Sequence, residues 1–424
     1  MTTVSGCAPD QSSSTTGSST TSGASGVTTT ASTSTTGLGS GTPLSTSTST
    51  VAVAKGAALR ELDAELIAAA WENDVERARQ LIAKGADVDA KDSTQQSAYL
   101  IATSEGYSEM LALTFEYGAD VRSLDSYNGT GLIRAAERGH AMVVGRLLRE
   151  GIDPNHVNRL GWTALHEAII LGKGDDRYVD TVRLLVAGGA DLELRSASEG
   201  VLPLAHPDSH GQRAIAMTLR AALESKGSDD PNADLLAAAA AAGTGDADAV
   251  AIALRLGADI EARDSRARTP LLLAVENDHV EAARLLVAFG ADPNAVDAQH
   301  DTPWLVTGVT GSVAMVDVLL PAKPDFTIRN RFGGIAIIPA SERGHVDYVR
   351  RVAKIGMNVN HVNDLGWTAL LEAVILGDGS APYQQIVRIL LDAGADPAIG
   401  DRDGTTALEH ARSKGFTAIA ALLS

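Results

Sequence analysis

One tripeptide returns along this chain at an interval that leaves few folds open. Gly85-Ala-Asp recurs as Gly118-Ala-Asp, Gly151-Ile-Asp and Gly189-Ala-Asp, at spacings of 33, 33 and 38 residues. A second series runs Gly257-Ala-Asp, Gly290-Ala-Asp, Lys323-Pro-Asp, Gly356-Met-Asn and Gly394-Ala-Asp, spaced by 33, 33, 33 and 38. A fixed period of this length describes small units that cannot bury their own faces and must stack on their neighbours.

The chemistry inside one period repeats too. About seven residues after most marks comes Asp or Asn: Asp92, Asp125, Asn158, Asp264, Asp297, Asn330, Asn363 and Asp401. Five residues later stands Ser or Thr (Ser97, Thr130, Thr163, Thr269, Thr302, Thr368, Thr406), with Ile335 the exception. A hydroxyl there suits a helix N-cap, and Pro270 and Pro303 follow at the first helical position, which tolerates proline. A second helix carries Val-x-x-Leu-Leu, and the glycine of the next Gly-Ala-Asp closes it in a left-handed conformation. The spacing therefore predicts two helices and a turn-rich loop per unit.

These residues resemble the ankyrin repeat, with Thr163-Ala-Leu-His166-Glu-Ala168 and Thr406-Ala-Leu-Glu-His410-Ala411 as close versions of its helix start. The resemblance covers roughly residues 60–424. It implies an all-α ankyrin-repeat solenoid of antiparallel helix pairs, with hairpin loops projecting from one side, and a binding function without catalysis.

The array is itself duplicated at an offset of 205. Asn155-His-Val-Asn-Arg-Leu-Gly-Trp162-Thr returns as Asn360-His-Val-Asn-Asp-Leu-Gly-Trp367-Thr. The division expected is a Ser/Thr-rich tether over 1–54, a first array of about five repeats over 55–228 and a second of about six over 229–424. The polar link Ser225–Asn232 is short, so the two arrays are expected to stack end to end as one solenoid. The five extra residues of each 38-residue interval, near Lys173–Arg177 and Asp378–Pro382, are expected to lengthen the loop between two helices. The second copy resembles stand-alone bacterial ankyrin proteins of about six repeats, through Arg331-Phe-Gly-Gly334 and Gly366-Trp-Thr-Ala-Leu-Leu-Glu-Ala373. The first copy departs from them with Tyr127-Asn-Gly129.

Composition sharpens the functional reading. Aromatic residues make up only 4% of the 424, so the core must be aliphatic. The formal net charge of −18 opposes a nucleic-acid partner, which needs a basic face. The single cysteine, Cys7, excludes an intrachain disulfide and a cysteine zinc site. No cofactor or metal is expected. His140, His345, His156 and His361 recur in both copies and read as structural.

Of the first 50 residues, 30 are Ser or Thr, a composition that cannot bury enough surface to order itself. Before that tract, Val4-Ser-Gly-Cys7 resembles a bacterial lipobox. That resemblance implies a lipid on Cys7 and an extracytoplasmic protein standing off its membrane on a tether. It requires a basic and apolar signal segment upstream of Met1. The alternative is a stray cysteine in a cytoplasmic tail.

The function expected is a monomeric scaffold that grips a protein partner on its concave face, with a surface spacer or adhesin, or an immunity or inhibitor protein, as alternatives. The candidate contact residues are Tyr127, Arg159, Trp162 and Glu167 in the first copy, and Arg331, Phe332, Trp367 and Glu372 in the second. Trp162 and Trp367 precede the cap threonine, at a loop position where, as the ankyrin resemblance implies, partners are gripped, but they also suit packing against a neighbouring hairpin. Glu167 and Glu372 could hold a basic partner or cap the loop locally. Arginine beside an aromatic ring is the composition of interface anchors.

Overall fold

A computed structural model describes residues 47–241 and 246–424, with side chains from residue 58. Residues 1–46 of the expected tether, Cys7 among them, lie outside the described residues. Residues 53–424 form one compact unit.

Eleven helix pairs follow in order among the described residues. The first five are α1 (Ser47–Trp71) with α2 (Val75–Ala83), α3 (Ala98–Glu105) with α4 (Ser108–Glu116), α5 (Gly131–Glu137) with α6 (Ala141–Arg149), α7 (Ala164–Ile170) with α8 (Asp176–Ala187), and α9 (Ala205–His210) with α10 (Arg213–Glu224). Six more follow: α11 (Pro231–Ala240) with α12 (Ala247–Arg255), α13 (Pro270–Glu276) with α14 (Val280–Phe289), α15 (Pro303–Thr310) with α16 (Val313–Leu319), α17 (Ile337–Glu342) with α18 (Val346–Val352), α19 (Ala369–Ile375) with α20 (Ala381–Asp392), and α21 (Ala407–Ser413) with α22 (Thr417–Leu422). The only extended pairings described are isolated bridges, such as Leu124 with Thr130.

The caps form as the spacing predicts. Thr269 Oγ1 accepts from Leu272 N at 3.1 Å, and Thr368 Oγ1 from Leu371 N at 3.2 Å. The unit that carries Ile335 in place of threonine starts α17 without a side-chain cap. Neighbouring units are joined loop to loop: Asp89 Oδ1 accepts from Asp120 N, and Asn294 Oδ1 from Asp325 N, both at 2.8 Å. The recurring histidines also bind backward. His140 Nε2 meets Ser104 O at 3.0 Å and His345 Nε2 meets Val309 O at 3.1 Å, each tying its unit to the preceding one. The core is aliphatic, with Trp304, Tyr99 and Tyr348 its largest fully buried side chains.

Two expectations need correction. The extra residues of the long repeats do not all lengthen a loop, because α8 begins at Asp176 and α20 at Ala381, inside the inserted stretches. Part of each insertion becomes an added first turn of the second helix. The larger correction concerns the two arrays, which do not stack end to end. The chain folds back after α10, so that α8 packs on α12 and α6 on α14. In a straight solenoid, helices four units apart are far out of reach.

Across this seam the second helices run in the same sense. Arg255, the last residue of α12, donates to Ala190 O, just beyond α8, at 2.7 Å. Arg183 in α8 reaches Asp248 (2.7 Å) and Glu281 (2.9 Å), near the starts of α12 and α14. The hairpins next to the seam therefore leave both arrays on one side. The seam closes for two reasons. Gly145 lets the backbone of α14 come into direct contact with α6: a Cβ there would lie 2.6 Å from the carbonyl carbon of Ala288. Buried charges then meet opposite charges, with Asp180 held by Arg284 at 2.6 Å and Arg183 at 3.5 Å, while Asp248 also accepts from Thr218 Oγ1 at 2.8 Å. Burial raises the Asp180 carboxyl above its ordinary range, against the pull of Arg284 and Arg183.

Candidate partner-binding site

The loop before each cap threonine is shaped by one acidic or amide side chain. Asp125 Oδ1 accepts from Tyr127 N (2.8 Å) and Gly129 N (2.7 Å), and Asn158 Oδ1 accepts from Leu160 N and Trp162 N, both at 3.0 Å. With its polar group turned inward, such a loop pushes the intervening side chains out. Adjacent loops are then stitched together. Arg159 N donates to Tyr127 O at 2.9 Å, and His156 Nε2 meets Asn128 O at 2.7 Å. The second copy repeats this, with Asp364 N to Phe332 O at 2.9 Å and His361 Nε2 to Gly333 O at 2.7 Å. Asn128 takes the left-handed backbone that Gly333 takes in the second copy, so the departure in the first copy preserves the loop.

Each pair of stitched loops presents the same apolar side chains to solvent. In the first array Tyr127 is 58% exposed and Leu160 46%, with Val157 beside them. In the second, Phe332 is 53% exposed and Leu365 49%, with Val362 beside them. Solvated loops normally carry polar residues here, and two matching apolar platforms are the kind of surface that marks protein contact. Cations flank both. Arg159 Nη1 donates to Ser126 O at 2.8 Å, and the Arg331 guanidinium lies 4.7 Å from the centre of the Phe332 ring.

The structure thus brings Tyr127 and Arg159 together, and Arg331 and Phe332 together, at exposed tips. It places the other candidates elsewhere. Trp162 and Trp367 are half-buried, and Trp367 packs against the core. Trp162 Nε1 is buried with no partner among the described residues. Glu167 and Glu372 are buried and bound to their own loops, accepting from Asn158 Nδ2 (2.7 Å) and Asn363 Nδ2 (2.9 Å). Burial pushes both carboxyls up to about 7; Glu137 adds to the effect on Glu167, and Glu342 to that on Glu372. Their observed contact is the local one. Val157, Leu160, Val362 and Leu365 were not among the expected residues, although each is identical in both copies.

Among the described residues, no group of His, Cys, Asp and Glu could hold a metal ion, and no helix is long and apolar enough to cross a membrane.

Paired antiparallel helices, αL glycine closures and stitched hairpins define a helical-repeat binding protein. The chain belongs to the ankyrin repeat family: that family, in its three-copy form, matches overlapping stretches from residue 66 to residue 401, including 66–158, 132–233, 235–330 and 304–401. Over 169 residues the chain is 41% identical to the ankyrin repeat protein YahD of Escherichia coli (strain K12), covering 40% of this chain and 84% of YahD. It is 37% identical over 93 residues to ankyrin repeat domain-containing protein 63 of Mus musculus, where it spans 24% of that protein. Among solved structures, an ankyrin repeat domain from Acinetobacter baumannii AYE is 46% identical, covering 45% of this chain and 95% of its own, with a TM-score of 0.42. Ankyrin-repeat proteins are generally non-enzymatic scaffolds for protein–protein interaction, and protein partners are what this family membership supports.

Proposed function

We propose that the chain holds a protein partner through its stitched hairpin tips, Tyr127–Val157–Leu160 in the first array and Phe332–Val362–Leu365 in the second. The observation that carries this reading is the matched exposure of the same apolar positions in both copies, in a chain that otherwise spends its few aromatics sparingly. An aromatic ring flanked by arginine is the composition of an energetic anchor, and the exposed valine and leucine widen the apolar surface around it. The partner presents an apolar patch with a carboxylate near it, to meet Arg159 or the Arg331–Phe332 pair. We further propose that the scaffold acts outside the cytoplasm, held to its membrane by a lipid on Cys7 at the end of the Ser/Thr tract. The Val4-Ser-Gly-Cys7 tetrad supports this.

The test is affinity capture by the full chain from the native envelope. A defined protein should be retained at constant ratio, and Leu160→Ser with Leu365→Ser should lose it while the circular dichroism stays unchanged. Retention of the same protein by the double variant would remove the tips from the site. Cys7→Ser should move the chain from the membrane to the soluble fraction, and failure to do so would remove the anchor.

A further inference from the structure

At one end of the seam, α4 and α6 face α14 and the 3-10 turn Leu320–Ala322 across a cleft of about 760 Å³. That is the size of a small-molecule site. Its walls are aliphatic: Leu111, Met142 and Val143 come from the first array, and Val287, Leu320 and Pro321 from the second. Three cations line it, Arg146, Arg149 and Lys323, against two carboxylates, Glu109 and Asp292. Two of the three cations, Lys323 and Arg149, are poorly neutralised. Lys323 reaches Glu109 only at 3.9 Å, in an exposed pair. Arg146 pairs with Glu150 at 2.8 Å, but its Nε is buried without an acceptor among the described residues. Arg149 makes no described ion pair; burial, and then Arg146 beside it, hold its pKa below the usual arginine value.

A separate observation points to the same place. Every other Gly-Ala-Asp mark has glycine with positive φ, from +76° at Gly151 to +106° at Gly85. At the cleft that position is Lys323, at φ +56°. A lysine in the left-handed region costs about 1 kcal/mol that glycine would not. Lys323 is the one such mark without glycine, and its side chain lines the cleft.

We propose that this cleft binds a small amphipathic anion, its headgroup between Arg146, Arg149 and Lys323 and its hydrocarbon against the aliphatic walls. A carboxylate or a phosphate would serve as headgroup, since both accept the paired donors of a guanidinium. The site exists only because two arrays meet, so a single array with the same repeats does not contain it. Arg149 is exposed at the mouth of this cleft, whereas Lys354, which takes its place in the second copy and is also exposed, lies outside it.

The experiment is isothermal titration of the full chain with decanoate, decyl phosphate, decyltrimethylammonium and decanol, each below its micelle-forming concentration. Both anions should bind at one per chain, and the cation and the alcohol about tenfold or more weaker. Arg149→Gln should weaken the anions by about tenfold or more, while Lys354→Gln leaves them unchanged. Decanol binding as tightly as decanoate, anion affinity unmoved by Arg149→Gln, or no binding of either anion would each overturn the proposal.

Discussion

The folded-back seam turns on Gly145, and one methyl group tests it. Glycine inside a helix is about 0.5–1 kcal/mol less favourable than alanine. Were the outer side of α6 open to solvent, Gly145→Ala would therefore stabilise the protein by that amount. Across the seam the added Cβ would lie 2.6 Å from the carbonyl carbon of Ala288, and closer still to its oxygen. Carbon atoms settle at about 3.5–4.0 Å, so α6 and α14 must part by roughly 1 Å. The obstacle is backbone, which no rotamer change can clear. Overpacking of this kind costs about 1–3 kcal/mol. The helix gain offsets part of it, leaving a net loss of about 1–2 kcal/mol. The sign of the change is thus opposite in the two cases. Urea unfolding followed by far-ultraviolet circular dichroism reads it, with Arg350→Ala as the control. Arg350 holds the same position in the second copy, is half-exposed in a surface pair with Asp347, and should change stability by no more than about 0.5 kcal/mol. Hydrogen exchange adds location, since Gly145→Ala should lower protection over residues 280–289. A gain in stability on Gly145→Ala would refute the seam.

Other consequences can be measured on the same preparation. Asp180→Asn and Arg284→Gln, alone and together, should each destabilise by about 1–3 kcal/mol and show a coupling of at least about 1 kcal/mol in the double-mutant cycle; additive effects would mean that the pair across the seam does not form. Glu167 and Glu372 have folded-state pKa values raised to about 7, above the unfolded value. Their stabilising contribution is therefore complete below the unfolded pKa, declines as pH rises, and is lost above about 7. Glu167→Gln with Glu372→Gln should leave stability nearly unchanged at low pH and raise it by about 1–2 kcal/mol per site above pH 7, discounted for screening, as read by urea midpoints across that range. Trp162→Ala or Trp367→Ala should lower stability by about 2 kcal/mol or more, which Leu160→Ser should not do; equal thermal midpoints for the tryptophan and leucine variants would contradict this assignment.

What could be read from sequence was whatever each unit specifies for itself. The 33-residue period, the cap threonines and the left-handed glycines act over a few residues, and they repeat, so chance is averaged out. Ile335 and Val201 show the same logic by exception, because the units with an aliphatic residue in the cap position are ones whose first helices, α17 and α9, start without a side-chain cap. The seam is different, because it joins units far apart. Its signal lies in a comparison between copies that helix periodicity alone does not prompt. Met142 and Gly145 stand where the second copy has Asp347 and Arg350, while Ala282, Leu285 and Phe289 stand where the first has Arg77, Gln80 and Lys84. At the tips, the rings of Tyr127 and Phe332 are exposed, as their loop positions suggest, whereas both tryptophans are half-buried and Trp367 packs on the core. Leu160 and Leu365 give no signal of their own in the sequence, because a single aliphatic residue in a loop carries no pattern. Their exposure follows from the Asn158 and Asn363 turns, whose geometry only coordinates display.

The polar centre of the seam has a task that aliphatic packing could not perform. Eleven similar units offer many ways for one row of second helices to lie on another, and aliphatic faces separated by a 33-residue period look nearly alike. The charges do not. If the second array slid by one unit, Asp317 would replace Arg284 beside Asp180, and Ala314 would replace Glu281 at Arg183. The first exchange sets two carboxylates together in a buried place; the second removes one of Arg183's acceptors, while Glu281 moves into the place of Asp248 and keeps it paired. The carboxylate pair costs several kcal/mol, more than a shift of aliphatic contacts could return. Gly145 acts in the same direction, since α6 is the helix of the pair whose backbone can be approached this closely. The buried cluster therefore fixes which units meet, and with them the single cleft that carries Arg149 and Lys323.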